Sequence, residues 1–196
     1  SDGILEWSTN YNLGTYEYDY ANGISIGSDG SIYMVGKTMP SPYKGGGAYS
    51  VLISKVNDDG SEDWSKVIGS ASGNDSGDAI ATGSDGSIYI TGTTTGNLND
   101  QVNSGGNDVF IIKLNSSGDT QWTRFIGTSG DEDANGISIG SDGSIYITGK
   151  TSGNLDGQVN SGSNDVFITN FNSSGDKQWT RLIGTSGDED AYGISI

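Results

Sequence analysis

The stretch GSDGSIYITG occupies residues 83–92 and recurs unchanged at 140–149; at 27–36 it reads GSDGSIYMVG, with only Met34 and Val35 different. It opens on an Asp-Gly turn. The letters that follow alternate, with Ile145 and Ile147 on one face of an extended segment and Tyr146 and Thr148 on the other. Alternating β-formers bounded by Gly, Asp, Asn and Ser are antiparallel hairpin signals. A phrase repeated three times in 196 residues also points to a chain built of repeats.

The tryptophans give the period. They stand at Trp7, Trp64, Trp122 and Trp179, spaced by 57, 58 and 57, and the turns at Asp29, Asp85 and Asp142 are spaced by 56 and 57. One unit read from Asp133 holds four strand-like segments, ANGISIG (134–140), SIYITG (144–149), DVFITNFN (165–172) and KQWTRLIG (177–184). The second and third are joined by a long polar loop and the others by short turns. No segment keeps helical spacing over the length a helix needs. Four antiparallel strands per unit, repeated head to tail, is the plan of a β-propeller blade.

The expectation is an all-β chain of four-stranded blades with no helix longer than a turn. Residues 1–18 would be the fourth strand of a preceding blade, 19–75, 76–132 and 133–189 three full repeats, and 190–196 the first strand of a following blade. Three and a half blades are too few to close a ring. The chain is therefore expected to be a piece of a longer array, or to complete a ring with other copies of itself. The tryptophan of each fourth strand is expected to anchor the core between blades.

The segments DANGISIGSDGSIYITGKT and GGNDVFIIKLNSSGDTQWTRFIG carry a resemblance. They are similar to the bacterial SBBP (seven-bladed beta-propeller) repeat family, and the likeness runs over essentially the whole chain. The first unit departs from the pattern, with a shorter second loop and Ser50 where Asp108 and Asp165 stand. The resemblance implies a propeller in large, multi-repeat, exported or surface-attached proteins. It does not imply an enzyme.

Composition narrows the chemistry. With no Cys and no His, the chain lacks a disulfide framework, a thiol nucleophile, the commonest zinc ligand and the usual general base. Its 25 acidic and 9 basic residues give a net charge of −16, which repels nucleic acid and anionic membranes. No apolar run is long enough to span a membrane. The location that the SBBP resemblance implies, extracellular or at the cell surface, is the one expected.

Acidic residues gather where the linkers and long loops should meet: Asp131, Glu132 and Asp133; Asp188, Glu189 and Asp190; and Asp108 and Asp165. The position of Glu132 is acidic in every unit, as Asp19, Asp75, Glu132 and Glu189. Adjacent carboxylates beside Gly and Asn are oxygen ligands of the kind Ca2+ prefers, which makes these eight residues its candidate ligands. The competing reading makes them solvated loop acids, or turn-formers whose side chains hold backbone amides. The spacing matches no EF-hand loop. SGGNDVFI (104–111) resembles the nonapeptide calcium repeats of β-rolls but recurs only at the blade period.

Near-identical acids repeated from unit to unit suit a multivalent or structural surface better than the asymmetric carboxylate pair of a glycosidase. The expected function is a non-catalytic structural or interaction module, an adhesion or scaffold element. Its expected partners are neighbouring repeats or other copies, and surface proteins or glycans. Tyrosines near the loops (Tyr16, Tyr18, Tyr20, Tyr43, Tyr49 and Tyr192) leave a carbohydrate-binding or glycan-cleaving propeller as the alternative.

Overall fold

The computed structural model describes residues 16–40 and 47–196. These form twelve strands and no helix, so no helix is long and apolar enough to cross a membrane. The first sheet holds β1 (Tyr16–Ile26), β2 (Ile32–Pro40), β3 (Ser50–Val56) and β4 (Glu62–Ile68). The second holds β5 (Asp75–Thr82), β6 (Ile88–Thr94), β7 (Asp108–Leu114) and β8 (Thr120–Ile126). The third holds β9 (Glu132–Ile139), β10 (Ile145–Thr151), β11 (Asp165–Phe171) and β12 (Lys177–Ile183). Each is antiparallel, with its strands side by side in chain order. Trp7 and Tyr43, and most of the segment assigned to a preceding fourth strand, lie outside the described residues.

The repeated phrase is spelt by backbone geometry. In the SDG turn Asp85 accepts the Ser87 amide on one oxygen (3.0 Å) and the Ser87 hydroxyl on the other (2.9 Å), and Asp142 does the same with Ser144 at 2.9 Å for both. The next residue must take positive φ, 78° at Gly86 and 81° at Gly143, a conformation that costs a residue with a Cβ. The phrase ends on Gly92 or Gly149 for another reason. Opposite each, the first strand of the sheet carries an extra residue, with register shifts between Gly77 and Ala79 and between Thr148 and Gly149. A bulge turns backbone into the neighbouring strand. A Cβ on Gly92 would meet the Ser76 carbonyl at 2.0 Å, and one on Gly149 the Asp133 carbonyl at 1.9 Å.

The sheets stack face to face through two apolar layers. Tyr33, Val35, Val51 and Ile53 of the first sheet meet Ile80, Ile88, Ile90, Phe110 and Ile112 of the second. The opposite face of the second sheet, with Tyr89, Val109, Ile111 and Ile126, meets Ala134, Ile137, Ile145, Ile147 and Phe167 of the third. Strand alternation explains why the middle sheet feeds both layers, because successive side chains point to opposite faces. Fully burying one such aliphatic side chain contributes about 1.5–3 kcal/mol.

Beyond β12, residues 190–196 form no strand, although the sequence places a first strand there. A strand needs a hydrogen-bonded neighbour, and the segment has no ladder with any described strand. It lies against β9: Asn135 Nδ2 donates to the Ala191 carbonyl at 2.6 Å, and a Cβ on Gly136 would meet Gly193 Cα at 2.9 Å. The first and second sheets make the matching contact, from Asn22 Nδ2 to the Gly77 carbonyl at 3.0 Å.

Candidate functional site: the repeated acids and the Trp-facing turns

The acid that recurs in every unit is a latch. Glu132 is fully buried and accepts the Thr128 amide at 2.6 Å, the Thr128 hydroxyl at 2.7 Å and the Thr151 hydroxyl at 2.6 Å. Asp75 repeats the set with the Ser70 amide (2.6 Å), the Ser70 hydroxyl (3.0 Å) and Thr94 (2.5 Å). Asp19 takes Thr38 at 2.6 Å, and Glu189 takes the Thr185 amide and hydroxyl at 2.9 and 2.6 Å. At Glu132 and Asp75 the bonds tie the linker that enters a sheet to the end of that sheet's second strand. A buried carboxylate is tolerated when charge-assisted donors replace water.

Asp108 and Asp165 open β7 and β11 and are buried. Each accepts a loop amide on Oδ2, from Ser104 at 2.7 Å and from Ser161 at 2.9 Å, while Oδ1 of each has no hydrogen-bond partner. Burial pushes the Asp108 carboxyl above its ordinary pKa, with the nearby charge of Glu132 adding to the rise. Gly127 and Gly184 leave room for the two carboxyl groups: a Cβ on either would meet the facing Asp carboxyl carbon, at 2.3 and 2.2 Å.

The consecutive acids do not converge, because neighbours on an extended chain point apart. Asp131 faces outward and accepts the Asn107 amide at 2.9 Å. Asp133 accepts Asn107 Nδ2 at 3.1 Å and lies 3.8 Å from Lys150, whose ammonium also reaches Asp190 at 3.3 Å. Asp188 accepts Asn164 Nδ2 at 2.7 Å. Among the described residues no three acidic side chains are grouped so as to hold a metal ion.

One acid was not singled out from the sequence, and two of the tyrosines named there gain a cation. Asp78 is half-buried between the Ser76 and Thr93 hydroxyls, at 2.8 and 3.1 Å, and its partial burial pushes its carboxyl up. Its place beside the β5 bulge could not be read without the register. The Lys37 ammonium stands 4.7 Å from the Tyr49 ring and 5.5 Å from the Tyr20 ring. A cavity of about 180 Å³ opens beside it, lined by Tyr49, Asn74, Ser76 and Asn107 among others.

The remaining recurring contact runs between sheets. Gly118, in the turn between β7 and β8, is buried against Trp64, where a Cβ would stand 2.9 Å from the indole. Trp64 Nε1 donates to the Ser116 carbonyl at 3.3 Å, and Lys66 pairs with Asp119 at 3.0 Å. Gly175, in the turn between β11 and β12, sits the same way on Trp122, at 3.0 Å. Arg124 Nε donates to the Gly175 carbonyl at 2.9 Å, with its guanidinium 5.5 Å from the Trp122 ring. The fourth-strand tryptophan of one sheet thus receives the hairpin turn of the next, once per 57 residues or so.

Residues 121–156 match SBBP, a beta-propeller repeat. The SBBP match runs from β8 through the latch linker, β9 and β10 to the long loop, and so holds Trp122, Glu132 and the phrase at 140–149. The chain is also 29% identical over 131 residues to the regulatory protein FlaEY of Caulobacter vibrioides, an alignment covering 59% of this chain and 14% of that protein. Among solved structures it is similar to a protein of unknown function from Bacteroides caccae, with a TM-score of 0.48 and 14% identity. That match covers 93% of this chain and 52% of the other. The chain thus spans about a seventh of the curated relative and about half of the solved one.

Proposed function

We propose that this chain is a non-catalytic interaction and scaffold module, three successive blades of a β-propeller in a large extracellular or cell-surface bacterial protein. One observation carries the reading. The packing of a turn glycine on the preceding sheet's tryptophan is made twice, Gly118 on Trp64 and Gly175 on Trp122, so the surfaces these units share most closely serve to bind one another. The recurring acids support it, since the most buried of them hold linkers in place. Partners are neighbouring repeats or other copies, then surface proteins and glycans. The net charge of −16 disfavours nucleic acid. The Caulobacter relative is a regulatory protein, which accords with a role in contacting other proteins.

A carbohydrate-binding reading has its own observation, the Lys37–Tyr49 corner with its cavity of about 180 Å³. A glycan-array screen with polysaccharide hydrolysis assays separates the two. The scaffold reading expects no turnover and no glycan binding that depends on the Tyr49 corner. Millimolar or tighter binding that is lost in Tyr49→Ala would replace it.

A further inference from the structure

We propose that the notch beside Trp179 and Arg181 is a docking site for an Asn-Ser-Ser-Gly-Asp hairpin turn carried by a further repeat of this type. The inference rests on the interaction-module reading and names the partner of its open face. At the two internal interfaces the fourth-strand tryptophan is covered by such a turn, residues 115–119 on Trp64 and 172–176 on Trp122. Trp179 holds the same place on β12 and packs on Tyr146 (6.1 Å between rings) as Trp122 packs on Tyr89 (6.2 Å). It is 38% exposed, and no turn among the described residues covers it.

The acceptor is already arranged. The Arg181 guanidinium stands 6.0 Å from the Trp179 ring, and its Nη1 donates to the Thr180 carbonyl at 2.8 Å. Arg124 makes the same internal bond to Thr123 at 2.9 Å while its Nε holds the Gly175 carbonyl. Arg181 Nε is therefore aimed where a turn carbonyl would sit. Beside it opens a cavity of about 430 Å³, lined by Asp156, Gln158, Lys177 and Gln178 along with Trp179 and Arg181.

The geometry specifies the occupant. Its residue over the indole must lack a Cβ, as the contacts of Gly118 and Gly175 show, and must take positive φ, 76° and 81° in those two turns. A carbonyl must face the arginine. A glycine at the fourth position of a two-strand turn meets all three demands.

The test uses the full chain with a backbone-cyclised peptide of residues 113–121 as probe, followed by NMR of the tryptophan indole N–H signals. Expected is a saturable shift of Trp179 with Trp64 and Trp122 unmoved, abolished in Arg181→Ala and absent with the Gly118→Val peptide. A second arm covers a peptide too mobile to hold its turn. Residues 140–184 are appended after Ile196, with the added tryptophan changed to Phe. Acrylamide quenching of Trp179 should then fall several-fold, to the level of Trp122, and return when the added turn glycine is changed to Val. The proposal is overturned if Trp179 stays open in the extended chain, or if the valine probe binds equally. It is also overturned if Trp179 becomes protected with rising concentration of the unextended chain, which would make the occupant a second copy. The glycan assays bear on the proposed function and leave these outcomes unchanged.

Discussion

The Thr151 hydroxyl donates to the Glu132 carboxylate at 2.6 Å, joining the end of β10 to the start of β9 across 19 residues of sequence. Thr94 and Asp75 form the same pair one sheet earlier, and Thr38 and Asp19 one sheet before that. The bond matters because both partners are fully buried, so neither finds water if the other is removed. Glu132→Ala should destabilise by about 3 kcal/mol, since three donors lose their acceptor, and Thr151→Val by about 1–2 kcal/mol. Glu189→Ala, at a half-buried site, should cost below about 1 kcal/mol. Urea unfolding of the three variants measures the order.

The turn glycines should separate into two classes. Gly86 has φ of 78° and open space around its missing Cβ, so Gly86→Ala pays only the backbone cost, about 1 kcal/mol. Gly175 has φ of 81° and the Trp122 indole 3.0 Å from any Cβ. Gly175→Ala should cost about 2–4 kcal/mol, the backbone cost plus the overpacking. Equal midpoints for the two variants in a denaturant titration would refute a packing role for the turn.

The paired arginines should differ as well. Arg124 bonds the Gly175 carbonyl and lies over Trp122, so Arg124→Ala should lose about 1–2 kcal/mol. Arg181 has the same ring contact without the carbonyl, and Arg181→Ala should stay within about 0.5 kcal/mol. Thermal unfolding at matched buffer reads the difference.

Two groups of carboxyls pull the pH profile in opposite directions. Ser31, Ser87 and Ser144 amides bonded to Asp29, Asp85 and Asp142 hold these acids below their usual pKa. Their contribution is present above the unfolded value, about 3.9, and is lost as pH falls through the lower folded value. Burial raises Asp78 and Asp108, so the native state keeps protons that the unfolded chain releases, and stability falls as pH rises from about 4 through their folded values. Asp78→Asn should flatten that fall, as measured by chemical denaturation at pH 4.5 and pH 7. A wild-type profile that rises over this interval, with no change in the variant, would contradict the assignment.

Calcium should raise the melting temperature no more than magnesium does at the same ionic strength, because the most buried acids already face amide and hydroxyl donors. A shift of several degrees specific to calcium, lost on changing Asp131 and Asp133 to Asn, would show instead that the linkers rearrange around the ion.

Within the three full units, the sequence by itself determined the strands, their order and their period. Alternation in SIYITG assigns faces without reference to anything distant, and the SDG turn closes through a side chain two residues from the amide it holds. Such interactions are local, so they are written in adjacent letters. The recurrence of tryptophan at 64, 122 and 179 likewise announced one anchor per unit. What tertiary structure alone decided is what each anchor and each acid touches. Trp122 and Gly175 are 53 positions apart, and Glu132 looks the same in sequence whether it faces an ion, water or Thr151. Burial chose among those fates: with water excluded from Glu132, the carboxylate had to be met by the donors that the sheet and linker bring to it.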